Sequence, residues 1–146
     1  MFTEPLSELV NRQNWIIDII IPVPLSEKRK RSRGYNQASR LAKPIAKSLM
    51  KPFLPEGLIK EKETKSQVGL SFEERKKNVT GAFSANSDIV NSRNILLVDD
   101  VITTGATLQA CAMSLKKAGA VRVYGITIAR TMNILDDFQI NNFMEV

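Results

Sequence analysis

The sequence predicts an α/β fold in which an open, mainly parallel sheet is flanked by helices. The continuous apolar run at residues 95–98 is typical of a strand covered on both faces, as strands of parallel sheets usually are. Apolar residues then recur at helical spacing, at Leu108, Cys111, Ala112 and Leu115. The β-branched run at residues 122–128 follows that helix. A strand, a helix and a strand in this order predict a βαβ unit with two parallel strands.

The front half of the chain contains a second strand and a second long helix. Residues 16–21 are rich in β-branched side chains and predict a strand, which Pro22 should break. Residues 34–50 predict a helix, with Pro44 expected to kink it or to shift its start. Its apolar face consists of Ala38, Leu41, Ala42, Ile45 and Leu49.

The middle of the chain carries weaker signals. Residues 58–63 predict a weak strand mixed with charge, and residues 86–92 a polar loop. Ser71 and Glu74 are spaced as a capping box, which should start a short helix over residues 72–77. We therefore expect the whole chain, residues 1–146, to form a single domain.

Composition restricts the class of protein. The chain has 146 residues, of which 43% are hydrophobic and 25% charged, as in an ordinary globular domain. It has no apolar stretch of membrane-spanning length and no signal-peptide pattern at its start, which predicts a cytoplasmic protein without membrane insertion. Its one cysteine, Cys111, lies on the predicted apolar helix face, so packing is its expected role.

The segment between the apolar strand and its helix has the composition of a phosphate-binding turn. A helix N-terminus carries partial positive charge and exposes N–H groups, which makes it an anion site. Gly105, with Ala106 after it, would let the backbone approach a ligand closely. Thr103, Thr104 and Thr107 add hydroxyl donors. These five residues are the predicted phosphate site.

Two carboxylates precede this turn and restrict the ligand further. Asp99 and Asp100 would repel a bare phosphate, so they are expected to face sugar hydroxyls or a metal. Successive strand residues point to opposite faces, so we do not expect the two to act as one carboxylate dyad. Neither GxxxxGK[ST] nor GxGxxG occurs in the sequence. The combination suits a phosphorylated ribose, although a buried strand followed by an ordinary polar turn is the simpler alternative.

Residues 99–107, Asp-Asp-Val-Ile-Thr-Thr-Gly-Ala-Thr, resemble the phosphoribosyl-pyrophosphate motif of type I phosphoribosyltransferases. The resemblance implies that phosphoribosyl pyrophosphate or a related ribose 5-phosphate compound is the ligand, with Asp99 and Asp100 as catalytic and metal-binding residues. The chain has no histidine, which excludes Ser-His triads and zinc hydrolases. Mg²⁺, which bridges phosphates to one or two carboxylates, is the expected metal.

A basic run follows the first predicted strand. Residues 28–33 contain five cations in six positions, beyond the carboxyl end of that strand. Ligands of open α/β sheets bind outside the carboxyl ends of strands, so two such ends could share one pocket. Arginine pairs bidentately with phosphate oxygens, and we predict that Arg29 and Arg33 bind pyrophosphate. A solvated basic loop and a nucleic-acid patch remain alternatives, the latter because the net charge is +6.

Several segments together resemble the ComF family of competence-associated, phosphoribosyltransferase-like proteins. These are Pro-Val-Pro-Leu at residues 22–25, Arg-Gly-Tyr-Asn-Gln at residues 33–37, the segment at residues 62–83 and the stretch at residues 116–130. The resemblance covers roughly residues 16–131. It implies that residues 62–78 form a mobile cover over the site, with an ordinary surface loop and helix as the alternative. Family members commonly begin with a zinc module, but this sequence has no CxxC pair.

Two functions from different classes follow from this resemblance. In the first, the protein is an enzyme that transfers the phosphoribosyl group from phosphoribosyl pyrophosphate. In the second, it is a non-catalytic module for nucleotide sensing, or for binding a partner or single-stranded DNA, in DNA uptake. The expected partners are competence-machinery proteins, single-stranded DNA and a second copy of the chain in a homodimer. No residue in the sequence identifies the acceptor substrate.

Overall fold

The computed structural model describes residues 3–61, 69, 71, 73–74, 81–102, 105–130 and 143–145. Helices and strands alternate along this part of the chain. In order they are α1 (Thr3–Arg12), β1 (Ile19–Pro22), α2 (Glu27–Arg33), α3 (Gln37–Leu49), a 3₁₀ turn (Pro55–Gly57), β2 (Leu58–Lys60), β3 (Phe83–Ala85), α4 (Ser87–Val90), β4 (Asn94–Ile102), α5 (Ala106–Lys117), β5 (Arg122–Arg130) and β6 (Phe143–Glu145).

The main sheet has four strands in the order β1-β4-β5-β6. The first three are parallel: Ile19 of β1 pairs with Ile95 of β4, which pairs with Val123 of β5. β6 is antiparallel to β5, and β2 and β3 form a separate antiparallel pair. The predicted α/β class with an open, mainly parallel sheet is confirmed, and β4, α5 and β5 form the predicted βαβ unit.

The two faces of the sheet bury different sets of side chains, because successive strand residues point to opposite sides. One face packs against α5 and the other against α1 and α3. Members of the first set include Ile19, Ile21, Ile95, Leu97, Val123, Leu108, Cys111 and Leu115. Members of the second include Ile20, Leu96, Val98, Tyr124, Leu6, Val10, Ala42 and Ile45. Helices on both faces explain why these strands are continuously apolar.

Two strands differ from their predicted bounds. β1 begins at Ile19 and includes Pro22 instead of ending before it. The backbone nitrogens of successive strand residues point to opposite sides, so the nitrogen of Pro22 faces the same way as that of Ile20, away from β4. The Ile20 N–H donates to the carbonyl of Pro52, whereas the Val23 N–H donates to the carbonyl of Val98 on β4. A proline on that side therefore costs no bond to β4. β4 continues to Ile102, so the acid pair lies within a strand.

Two short helices lie where the sequence predicted none. The basic run forms α2, which Ser26 caps and Gly34 ends in the left-handed conformation at φ 78°. The polar segment at residues 86–92 contains α4, capped by Asn86 and anchored by buried Val90. Both helices are short and depend on side-chain caps, which a search for apolar periodicity does not detect.

The other predicted elements agree more closely. α3 begins at Gln37 rather than residue 34 and contains Pro44 inside it, and its predicted apolar face is buried or half-buried. Ser71 and Glu74 exchange the predicted capping-box bonds, at 3.0 and 3.2 Å.

The predicted cover at residues 62–78 lies outside the described residues apart from four positions, as does most of the tail. Within the described residues, no helix is long and apolar enough to cross a membrane.

Candidate phosphoribosyl-binding site

The acid pair lies on β4 just beyond the end of β1. β1 pairs with β4 only as far as Pro22 opposite Val98, and Asp99 is the next residue of β4. On the other side β5 continues, with Thr127 opposite Asp99, and the Thr127 hydroxyl donates to the Asp100 carbonyl at 3.2 Å. The carboxyl ends of β1 and β4 are therefore neighbours, as predicted for a shared pocket.

The two carboxyl groups interact, although strict alternation along a strand would separate them. The Asp100 N–H donates to Asp99 Oδ1 at 2.8 Å, which turns the Asp99 side chain along the backbone toward residue 100. Burial, a side-chain hydrogen bond with Asp100 and the charge of Asp100 raise the Asp99 pKa from 3.8 to about 8, and the Asp100 N–H opposes this rise. A proton or a cation at this pair would therefore relieve a considerable electrostatic cost.

The pair has the donor chemistry that Mg²⁺ requires. Mg²⁺ takes oxygen ligands, keeps several waters and commonly uses only one or two carboxylates together with substrate phosphates. Within the described residues there is no cluster of three or more Asp, Glu, His or Cys side chains that could hold a metal by itself. Asp99 and Asp100 therefore fit a metal shared with a phosphorylated ligand better than a metal held entirely by the protein.

Three residues, 103–105, separate the end of β4 from the start of α5. Gly105 is the N-cap of α5 and adopts the left-handed conformation at φ 80°, which favours glycine. It offers no side chain to cap the helix. Ala106 is buried and Thr107 half-buried, whereas Thr103 and Thr104 lie outside the described residues. The described part of the predicted phosphate turn is thus a glycine-capped helix N-terminus next to the acid pair.

The predicted pyrophosphate residues, Arg29 and Arg33, lie on α2, which follows the carboxyl end of β1. None of the seven residues of α2 is buried. Its cations therefore lie at the surface, with Arg29 half-buried and Arg33 exposed. The role of these two arginines in binding pyrophosphate stays a prediction.

A cavity of about 680 Å³ lies at the carboxyl end of β1, and sequence reasoning did not predict it. Pro22 and Pro24 line it together with Asn36, which precedes α3. Lys60 of β2 also lines it. Because these residues come from three separate parts of the chain, only the folded structure brings them together. Asn36 had one local signal, since asparagine is a common N-cap before a helix.

The chain belongs to the phosphoribosyl transferase domain family, whose model matches residues 21–133. The matched region includes the end of β1, the basic helix α2, the acid pair and the start of α5. This confirms the predicted resemblance to phosphoribosyltransferases, on a fold and a site whose geometry had already indicated it.

Among curated proteins, the chain is similar to competence and DNA-utilization proteins. It is 40% identical over 116 residues to competence protein F of Haemophilus influenzae, covering 77% of this chain and 51% of that protein. It is 35% identical to the DNA utilization protein YhgH of Escherichia coli K12, covering 79% and 50%. It is 32% identical to competence protein ComFC of Bacillus subtilis, covering 77% and 45%. The chain thus spans about half the length of these relatives, and the predicted ComF relationship is confirmed.

Solved structures of phosphoribosyltransferases share the fold. Purine phosphoribosyltransferase from Pyrococcus horikoshii superposes with a TM-score of 0.57 at 19% identity, covering 92% of this chain and 76% of that one. Adenine phosphoribosyltransferase from Thermoanaerobacter pseudethanolicus gives 0.55 at 19% identity, covering 88% and 67%. At such low identity the likeness supports the fold and leaves the substrate open.

Proposed function

We propose that this chain binds phosphoribosyl pyrophosphate with Mg²⁺ and transfers or senses its phosphoribosyl group in a process linked to DNA uptake. The observation that carries the proposal is the interacting acid pair, which lies beyond the end of β1 and ends five residues before Gly105, the N-cap of α5. Ribose hydroxyls and Mg²⁺ bind the carboxylates, and the 5-phosphate binds at residues 103–107, where the helix N-terminus favours an anion.

In this arrangement the chain's own groups serve phosphoribosyl transfer without a histidine. Transfer at the anomeric carbon passes through a cation-like sugar, which the acid pair stabilises by its negative charge. The leaving pyrophosphate is bound by Arg29 and Arg33 through charge-assisted hydrogen bonds. Mg²⁺ supplies charge neutralisation of the pyrophosphate. Cytoplasmic location, the competence-machinery partners and a homodimer belong to the same proposal.

Replacement of each acid by its amide tests this proposal. We expect Asp99→Asn and Asp100→Asn each to weaken phosphoribosyl pyrophosphate binding by about tenfold or more, the scale of one lost charge-assisted interaction. Isothermal titration calorimetry with Mg²⁺ present measures the affinity. Asp88→Asn, which removes an exposed carboxylate from α4, is the matched control and should bind as the wild type does. Unchanged affinity in both site variants would contradict the ribose assignment.

A second candidate function is a non-catalytic module that binds single-stranded DNA or a protein partner. The observation that favours it is α2, which carries five exposed or half-exposed cations and buries none of its side chains. A surface of this kind attracts phosphate backbones independently of sequence. The names of the relatives, competence and DNA-utilization proteins, agree with either function.

A further inference from the structure

The basic helix α2 has little to anchor it to the rest of the molecule. It has seven residues, five of them cationic, and none is buried. Isolated helices of this length are marginal in water, so packing or its two ends must determine its position. At its first end, Ser26 is buried, and its hydroxyl accepts the Arg29 N–H at 3.3 Å. At its last end, Gly34 reverses the chain toward α3.

Asn36 joins the two ends of the segment that contains α2. Its Nδ2 donates to the carbonyl of Val23, thirteen residues earlier, at 3.0 Å. Its Oδ1 accepts the Ala38 N–H at 3.0 Å and caps α3. One half-buried amide therefore closes a loop that begins at the end of β1 and finishes at the start of α3.

The same amide is connected to the strand that carries the acid pair. Val23, whose carbonyl accepts from Asn36, donates its own N–H to the carbonyl of Val98 at 2.8 Å. Val98 directly precedes Asp99 on β4. A continuous series of hydrogen bonds therefore runs from the residue before the acid pair, through Val23 and Asn36, to the first turn of α3.

We propose that Asn36 is a positioning residue that holds α2, with Arg29 and Arg33, at a set distance from the acid pair on β4. This inference rests on the proposed function, because it assigns Asn36 to the pyrophosphate side of that site. The amide suits this role because its nitrogen donates to the Val23 carbonyl while its oxygen accepts the Ala38 N–H. A carboxylate cannot donate, and a hydroxyl on a shorter side chain cannot reach both partners. It acts through the arginines and does not contact the reacting atoms.

Two substitutions separate the cap from the bond to Val23. Asn36→Ser keeps a good N-cap for α3, is uncharged and is too short to reach the Val23 carbonyl. Asn36→Asp also keeps the cap, but it has no N–H and would direct a carboxylate oxygen at that carbonyl. Agreement between the two variants excludes the added charge as the cause of an effect. Asn86→Asp is the matched control, since Asn86 caps α4 through the same bond, to the Asp88 N–H at 3.0 Å.

The affinities for pyrophosphate and for ribose 5-phosphate, each with Mg²⁺, provide the test. We expect both Asn36 variants to bind pyrophosphate about tenfold more weakly, the scale of one lost hydrogen bond, and ribose 5-phosphate within about twofold of the wild type. Their melting temperatures should stay close to that of Asn86→Asp. Adding Asn36→Ser to an Arg29→Ala, Arg33→Ala variant should cause little further loss, because residues that act as a unit are not additive.

Three results would overturn the inference. The first is unchanged pyrophosphate affinity in both Asn36 variants. The second is an equal loss for both ligands together with a lower melting temperature, which would make Asn36 merely structural. The third is full additivity with the arginine substitutions. Failure of the wild type to bind either ligand is a different outcome, which would overturn the proposed function and this inference with it.

Discussion

At the scale of single residues, Asp99 has the most unusual environment that the structure describes. Its carboxyl group is half-buried next to Asp100, and its pKa is raised from 3.8 to about 8. The folded protein therefore holds a proton at Asp99 that the unfolded chain releases above about pH 4. The contribution of this group to the free energy of unfolding is therefore present at low pH and is lost as the pH rises from about 4 to about 8.

This shift predicts how Asp99→Asn changes stability without ligand. An amide does not ionise, so the free energy of unfolding of the variant should fall less between pH 5 and pH 8 than that of the wild type. The variant should be the more stable of the two at pH 8. Urea unfolding at both pH values measures the difference, with Asp88→Asn as control. Parallel pH profiles for Asp99→Asn and the wild type would contradict the raised pKa.

At the scale of elements, α2 is a basic helix that has none of its side chains buried. Ser26 and Gly34 set the two ends of the helix, and the run of cations between them is left at the surface. No side chain of α2 belongs to the apolar core of the described residues, so we expect that its charges can be changed with little effect on folding. This makes α2 a suitable element for separating the pyrophosphate role from the nucleic-acid role.

Charge reversal on α2 should distinguish these roles. We expect Arg29→Glu with Arg33→Glu to abolish pyrophosphate binding and to leave affinity for single-stranded DNA mostly intact, because the pyrophosphate site uses those two guanidinium groups. If the helix is a DNA-binding surface, the same change should reduce the salt dependence of DNA binding, since fewer counterions are released. Calorimetry with pyrophosphate and fluorescence anisotropy across a salt series measure both. Lys43→Glu with Lys47→Glu, on the exposed face of α3, is the control.

At the scale of the whole molecule, β2 and β3 form a pair separate from the main sheet, and β2 borders the cavity at the end of β1. Lys60 of β2 lines that cavity, and its ammonium group lies 5.8 Å from the centre of the Phe83 ring on β3. Residues 62–78 connect these two strands in sequence. A cover for the site would therefore be attached beside the cavity, where closing would exclude water from a cation-like sugar.

We predict that residues 62–78 gain protection when phosphoribosyl pyrophosphate and Mg²⁺ bind. Closure over a bound ligand should slow hydrogen exchange in this segment as well as at residues 103–107. Hydrogen–deuterium exchange with and without ligand measures both regions in one experiment, and α1, at the other end of β1, serves as an internal control. Protection at residues 103–107 without protection at residues 62–78 would contradict the cover.

Much of the fold could be predicted from the sequence because its signals are local. The apolar runs in β1 and β4 and the periodic face of α5 each require only a few neighbouring residues, and the structure confirms them. The order of acid pair, glycine and helix is also local, so the candidate phosphoribosyl site could be placed at Asp99, Asp100 and Gly105 before any coordinates. The expected Mg²⁺ and the pyrophosphate role of Arg29 and Arg33 rest on the chemistry of the residue types, and both remain predictions.

Tertiary structure alone decided the features that depend on distant residues. The pKa of Asp99 rises because folding buries its carboxyl group beside Asp100, and a linear pattern contains no measure of burial. The bond from Asn36 to Val23 spans thirteen residues and forms only once β1 and α3 have packed on the same sheet. Local pattern therefore specified most of the strands and longer helices and the position of the candidate phosphate turn. Long-range packing specified how the acid pair ionises and which side chain connects the end of β1 to the start of α3.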